Sequence, residues 1–323
     1  MAPLIVDSEW QQVASPSRDN PLPAFTEVSQ IHEHINKLMK EYFTTSSNPE
    51  GFQESKHEFT SLDGTRHNVR RFVPPSTPTG GKAQRAIVYV HGGGMISGSV
   101  ELSRRVITDI AQRNNTQVFG VEYRVGFEKA FPASVEDVYS AIIWLQKNAQ
   151  TFNVDPARIL LYGHSAGGGV AAGTALFARD KGLKHPLAGQ VLVAPMIDDQ
   201  TILLEDHPMT PYLSWTSSWN QIGWKTYLGG LERAERNDEN VPIYASPSRA
   251  KDVSGLPPTY IDVGSLDLFR NEDIAYASKL SAADVNVEFH LYLGVPHGFE
   301  SGSDGLRLSR LAMENQVNFV SKI

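Results

Sequence analysis

The sequence predicts an α/β fold, a mostly parallel sheet with helices on both faces. Two observations predict it. From residue 86 onward, short apolar runs alternate with amphipathic stretches, the pattern of strands joined by crossover helices. Before residue 86, two extended stretches meet at a hairpin dipeptide, so the sheet should begin with antiparallel edge strands.

Taken in order, Ser15–Pro23 is rich in Pro, Ser and Asn and reads as a loop. Thr26–Tyr42 has helical spacing, with Val28, Ile31, Ile35, Leu38 and Met39 on one face. Lys56–Leu62 and Thr65–Val73 form the hairpin about Asp63-Gly64, and Pro74–Gly81 is a turn. Six core strands follow, at Ala86–Val90, Gln117–Glu122, Arg158–Tyr162, Gln190–Ala194, Thr259–Val263 and Asn286–Tyr292. Helices are expected at about 133–148, directly after Gly163, and at about 271–283 and 306–321. The stretch Asp198–Pro242 breaks the alternation. It carries Tyr212, Trp215, Trp219, Trp224 and Tyr227, and we read it as a cap over the site rather than a surface excursion, because long insertions after such strands tend to be functional.

Composition narrows the function. Of 323 residues, 41% are hydrophobic and 20% charged, as in ordinary globular proteins, and one large catalytic domain is expected over 1–323, with cap elements at about 1–45 and 199–242. The net charge is −7 and arginines cluster only in pairs (Arg70-Arg71, Arg104-Arg105), which speaks against nucleic acid as a partner. With no cysteine, disulfides, zinc–thiolate sites and a cysteine nucleophile are all excluded. The opening apolar run ends at Asp7, too short for a signal-peptide core, and no window reaches membrane-span length, so the expectation is a soluble cytoplasmic protein. His32 and His34 at i, i+2 spacing point to different helix faces, and no cluster suggests a metal.

Two glycine-rich motifs carry the chemistry. Gly163-His164-Ser165-Ala166-Gly167-Gly168 lies between an apolar strand and an Ala/Gly-rich helix, which puts Ser165 on a sharp strand-to-helix turn at a helix N-terminus. His91-Gly92-Gly93-Gly94 also follows a strand and can present bare backbone N–H groups to an oxyanion. A phosphate cradle would want a lysine that Met95-Ile96-Ser97 does not supply. His91 is expected to hold the loop rather than to act as a base.

A serine hydroxyl needs a base, which in this arrangement comes last in the chain. Of the late histidines, His290 lies inside a strand pattern, whereas His297 lies in the turn-rich Val295-Pro296-His297-Gly298-Phe299. Asp267 follows the preceding strand and can orient His297. Asp198 and Asp199, after an earlier strand, are its rivals, and Glu272 and Asp273 suit a helix N-terminus.

Together these residues resemble the hormone-sensitive-lipase-like family of α/β-hydrolase-fold carboxylesterases, over about Ala86–Val320. The resemblance rests on His91–Gly94, Glu122-Tyr123-Arg124, Phe131-Pro132-Ala133, Asp137, Asp155-Pro156, Gly163–Gly168, Gly255-Leu256-Pro257-Pro258, Asp267, Glu272 and Pro296-His297-Gly298-Phe299. It implies a triad of Ser165, Asp267 and His297, oxyanion amides from Gly93, Gly94 and Ala166 with Gly92 beside them, and a helical cap. It also implies cleavage of small-molecule esters of short- to medium-chain acids without metal or cofactor. Some relatives pair through a late strand or helix, so a homodimer is compatible with it. Three departures stand out: His164 where the family usually has aspartate, Arg124-Val125-Gly126-Phe127-Glu128 without the usual Ala-Pro pair, and Met95 where an aromatic is usual. Met95 and His164, with Tyr212, Trp215 and Trp219 of the insertion, are the expected substrate-pocket residues.

The expected reaction is a double displacement through an acyl-enzyme. A lactonase, or an esterase dedicated to one secondary metabolite, would use the same residues, and amide hydrolysis is permitted by the same triad. A non-catalytic small-molecule receptor would be expected to have lost part of the triad. Epoxide hydrolases and dehalogenases would need a carboxylate where Ser165 stands.

Overall fold

The computed structural model describes residues 4–13, 22–42, 48–77, 80–302 and 305–323. Most of the loop expected at Ser15–Pro23, part of the turn expected at Pro74–Gly81 and parts of the expected 1–45 cap element lie outside them. Eight strands form one sheet: β1 (Gln53–Thr60), β2 (Arg66–Val73), β3 (Gln84–Val90), β4 (Val118–Val121), β5 (Val154–His164), β6 (Gly189–Val193), β7 (Thr259–Gly264) and β8 (Val287–Tyr292). Their spatial order is β1-β2-β4-β3-β5-β6-β7-β8. The hairpin strands β1 and β2 pair antiparallel, β2 joins β4 antiparallel, and every later pairing is parallel.

Alternate residues of the central strands feed two cores, as strands covered on both faces must. Ala86, Val88, Val90, Ile159, Leu161 and Ile261 point to one face, and Ile87, Tyr89, Leu160, Tyr162 and Tyr260 to the other. The helices are α1 (Ser8–Val13), α2 (Val28–Tyr42), α3 (Arg104–Asn114), α4 (Ala133–Lys147), α5 (Ala166–Asp180), α6 (Ser217–Tyr227), α7 (Arg270–Ala282), α8 (Phe299–Gly302) and α9 (Arg307–Lys322). Residues of α4, α5 and α7 pack in the first core, and those of α3 and α9 in the second. Helix α3 is an addition to the elements expected from sequence. Its apolar residues Ile107, Ile110 and Ala111 do have helical spacing, and an αL Asn115 closes it.

Strand order reverses at β3, whose neighbours β4 and β5 lie on opposite sides, and a crevice opens beyond strand C-termini at such a switch point. The glycine loop leaves β3 there and the Ser165 turn leaves β5 there. Above them, the segment leading into α2 meets α6: Phe25 stacks on Trp219 at 5.6 Å, and the Trp219 indole N–H donates to the Pro23 carbonyl at 3.1 Å. Thr216 caps α6 by accepting the Trp219 amide. Trp219 and Trp224 are both fully buried, so the aromatic-rich insertion is an ordered part of the core.

Candidate active site

The strand-to-helix turn after β5 folds as its sequence dictates. Ser165 has φ +54° and ψ −124°, a strained conformation for a residue with a side chain. Neighbours over-determine it: its amide donates to the Val193 carbonyl at 2.8 Å, and its own carbonyl accepts the Gly169 and Met196 amides. Close packing beneath the turn requires glycine at 167, where an added Cβ would stand 2.2 Å from the Val90 carbonyl oxygen. Helix α5 can therefore lie directly against β3.

The histidine and the acid come from adjacent loops. Leu266 N–H donates to the Val295 carbonyl at 3.1 Å, tying the loop after β7 to the loop after β8. His297 Nε2 lies 2.9 Å from Ser165 Oγ, and its Nδ1 lies 2.7 Å from Asp267 Oδ2. The carboxylate only accepts, so Nδ1 carries the proton and Nε2 is left to accept from the serine hydroxyl. The other Asp267 oxygen accepts the Phe269 amide at 2.9 Å, and Asp267 is fully buried. Burial pulls the His297 pKa down, but the charge and hydrogen bond of Asp267, aided by Glu300, more than offset it, so the net shift is upward. Asp199, the rival acid, is paired with Arg249 instead.

The glycine loop is built to leave its amides bare. Gly93 has φ +128°, and a Cβ there would lie 2.1 Å from the Ser97 carbonyl oxygen, so only glycine fits. Among the described residues, the amides of Gly93, Gly94 and Ala166 have no acceptor within the protein. His91 holds the loop: its ring N–H donates to the Gly92 carbonyl at 2.9 Å and its ring stacks on Tyr123, whose hydroxyl donates to the His91 carbonyl. Burial lowers the His91 pKa to about 4, so the ring stays neutral.

A cavity of about 280 Å³ joins these parts, with Gly92, Gly93, Gly94, Ser165 and His297 on its wall. Of the residues expected at the substrate pocket, His164 and Trp215 line this cavity. Met95, Tyr212 and Trp219 do not: Met95 and Trp219 are buried in the core and Tyr212 packs against it. The departure at Met95 therefore lies behind the wall. Sequence reasoning missed several lining residues, among them Ile35, Leu38, Met39 and Tyr42, with Val106 and Glu300. Three of them sit on the apolar face already visible in α2, which was the available signal. His164 is held neutral, its pKa lowered to about 3 by burial and then by the charge of His297. A larger hollow of about 440 Å³ lies between α3 and α9 and shares Val106, His164 and Glu300, but neither Ser165 nor His297 lines it.

A hydroxyl, a base and an acid in series beside bare amides are the parts of acyl transfer, and comparison with known proteins agrees. A family described as alpha/beta hydrolase fold matches residues 87–301. The chain belongs to that family. It is 32% identical over 243 residues to the esterase LipI of Mycobacterium tuberculosis, covering 74% of this chain and 73% of the relative. An arylesterase of Saccharolobus solfataricus is 29% identical over 83% of this chain and 85% of its own length. Among solved structures, a bacterial heroin esterase superposes with a TM-score of 0.86 at 30% identity, covering 98% of both chains. The hormone-sensitive-lipase-like resemblance holds, and the hydrolase is a carboxylic-ester hydrolase. No helix among its described residues is long and apolar enough to cross a membrane.

Proposed function

We propose that this hydrolase cleaves esters of short- to medium-chain acids by double displacement at Ser165. His297 Nε2 takes the Ser165 proton as Oγ attacks the carbonyl carbon, and Asp267 holds the imidazolium that forms. The amides of Gly93, Gly94 and Ala166 receive the developing oxyanion, with Gly92 shaping the loop beneath. The tetrahedral intermediate collapses, the C–O bond to the alcohol breaks, and His297 returns the proton to the leaving oxygen. Water, deprotonated by the same histidine, then releases the acid and restores Ser165. The observation that carries this reading is the unbroken series Ser165–His297–Asp267 at 2.9 and 2.7 Å beside acceptor-free amides.

Cavity size supports the chain-length preference. At about 280 Å³ it falls just below the ~300–1,000 Å³ of sites for drug-sized ligands. We assign the cap role to α2 and the 199–242 region. Trp215 lines the cavity, and the Ser214 hydroxyl donates to the His297 carbonyl at 3.0 Å, which joins the insertion to the histidine loop. A p-nitrophenyl ester series from acetate to palmitate tests the reading. Turnover peaking at short or medium chains supports it, and a palmitate optimum would overturn the chain-length assignment.

A further inference from the structure

Helix α2 does more than wall the cavity. Its turn at residues 32–36 reaches the glycine loop through two hydrogen bonds, linked within the helix by a third. His32 Nδ1 lies 2.8 Å from the Ile96 carbonyl, His32 Nε2 lies 3.0 Å from Asn36 Nδ2, and Asn36 Oδ1 accepts the Gly98 amide at 2.8 Å. Donor chemistry orders the chain. A carbonyl only accepts, so His32 carries its proton on Nδ1 and its Nε2 accepts from the Asn36 amide nitrogen. A backbone N–H only donates, so the Asn36 oxygen must face Gly98. Spacing of i, i+4 puts His32 and Asn36 on one face, beside the Ile35, Leu38 and Met39 that line the cavity. Phe127 stacks on the His32 ring at 4.5 Å and fixes its plane.

The loop so gripped is the one that carries Gly93 and Gly94. It folds back on itself, with the Ile96 and Ser97 amides both donating to the Gly93 carbonyl at 3.1 and 2.9 Å. The Gly93 carbonyl belongs to the same peptide unit as the Gly94 amide. Displacing Ile96 or Gly98 therefore turns the peptide that aims the Gly94 N–H. We propose that His32 and Asn36 are positioning residues for carbonyl activation, so that docking of α2 sets the aim of the oxyanion amides. This rests on the reading of Gly93 and Gly94 as oxyanion donors.

The test uses the full chain with His32→Phe, which keeps a ring for Phe127, Asn36→Leu, and Asn36→Asp. In the last, the carboxylate still accepts from Gly98 and can take a hydrogen bond from a protonated His32. Hydrolysis of p-nitrophenyl butyrate and inhibition by an alkyl trifluoromethyl ketone, whose hemiketal oxyanion mimics the intermediate, are measured with thermal stability. We expect His32→Phe and Asn36→Leu to lower kcat about 10- to 100-fold, to weaken the ketone by a similar factor and to leave KM within about twofold. Asn36→Asp should recover most of the loss. Unchanged kcat and ketone affinity in folded variants would overturn the proposal, as would a loss confined to KM or to thermal stability. Should either variant fail to fold, the other and the Asn36→Asp comparison decide. Failure of the ketone to form a hemiketal on the wild type, read by ¹⁹F NMR, would instead sink the oxyanion assignment itself.

Discussion

The C-terminal edge of the sheet and the helical layer above it are held by different forces. At the edge, the positions of Ser165, Asp267 and His297 follow from backbone geometry and buried polar bonds: a strained φ, glycines against carbonyls, and a carboxylate with both oxygens occupied. Above it, α2 and α6 and the segments leading into them are joined largely by aromatic rings: Phe25 stacks on Trp219, and Phe25–His34, His34–Trp219 and Trp215–Trp219 meet edge to face, all with centroids within 6 Å. Directional bonds specify a geometry to tenths of an ångström, whereas apolar packing specifies volume and shape. On the proposed function, the chemistry belongs to the sheet edge and substrate selection to the apolar lining of the helical layer, His32 and Asn36 of α2 being the exception that grips the glycine loop, and elsewhere the two should be separable by mutation.

The sharpest way to break that separation is at Asp267. Asp267→Asn keeps the shape but removes the charge and the acceptor that fix the His297 tautomer, and kcat should fall about 10⁴-fold with KM little changed. In the same variant burial is opposed only by the charge of Glu300, so the His297 titration read by NMR should move down from its wild-type position above the ordinary value. A wild-type titration below that of the variant would contradict the account. Next in size is Gly93→Ala, where the Cβ strikes the Ser97 carbonyl; kcat should fall about 10²- to 10³-fold in protein that still folds by circular dichroism.

Cap variants should behave otherwise. Trp215→Ala removes a wall that overlies Gly94 and lines the same cavity as Ser165, so the acyl-chain optimum should lengthen. Specificity for the wild type's best ester should drop about tenfold, mostly through KM. A kcat loss as large as that of Gly93→Ala would show that cap and sheet edge are not separable there. The smallest effect concerns pH. Only neutral His297 accepts the serine proton, so activity is present above its raised pKa and lost as pH falls through it. His164→Asp would replace a neutral ring by an acid near His297, favour the imidazolium, and move the acid limb of the profile to higher pH. A limb that moved down would contradict the electrostatic coupling of position 164 to His297.

The same division explains what was legible in sequence. Ser165, the glycine loop, Asp267 and His297 each sit within a few residues of an apolar run, so strand-end arithmetic reached them, and the parallel sheet followed from alternation alone. Hairpin strands β1 and β2 were readable from Asp63-Gly64. The packing of the region read as a cap was not, because it depends on contacts far apart in the chain, such as Trp219 with Pro23 and Phe25. Aromatic content in 199–242 marked the region but not which rings face the cavity: Trp215 does, and Trp219 and Tyr212 do not. Met95 misled for a related reason. Its place directly after the glycines suggested the substrate, but with φ +67° its side chain turns into the core, against Gly169. Helix α3 went unread although Ile107, Ile110 and Ala111 carried its period.

The measurement that tests the central claim most directly is active-site labelling with a fluorophosphonate, followed by peptide mapping and paired with ester hydrolysis by Ser165→Ala. The account predicts one adduct per chain, on Ser165, and a folded variant that takes no label and whose kcat is at least ~10⁴-fold lower. An adduct on any other residue, or wild-type-like hydrolysis by folded Ser165→Ala, would contradict it.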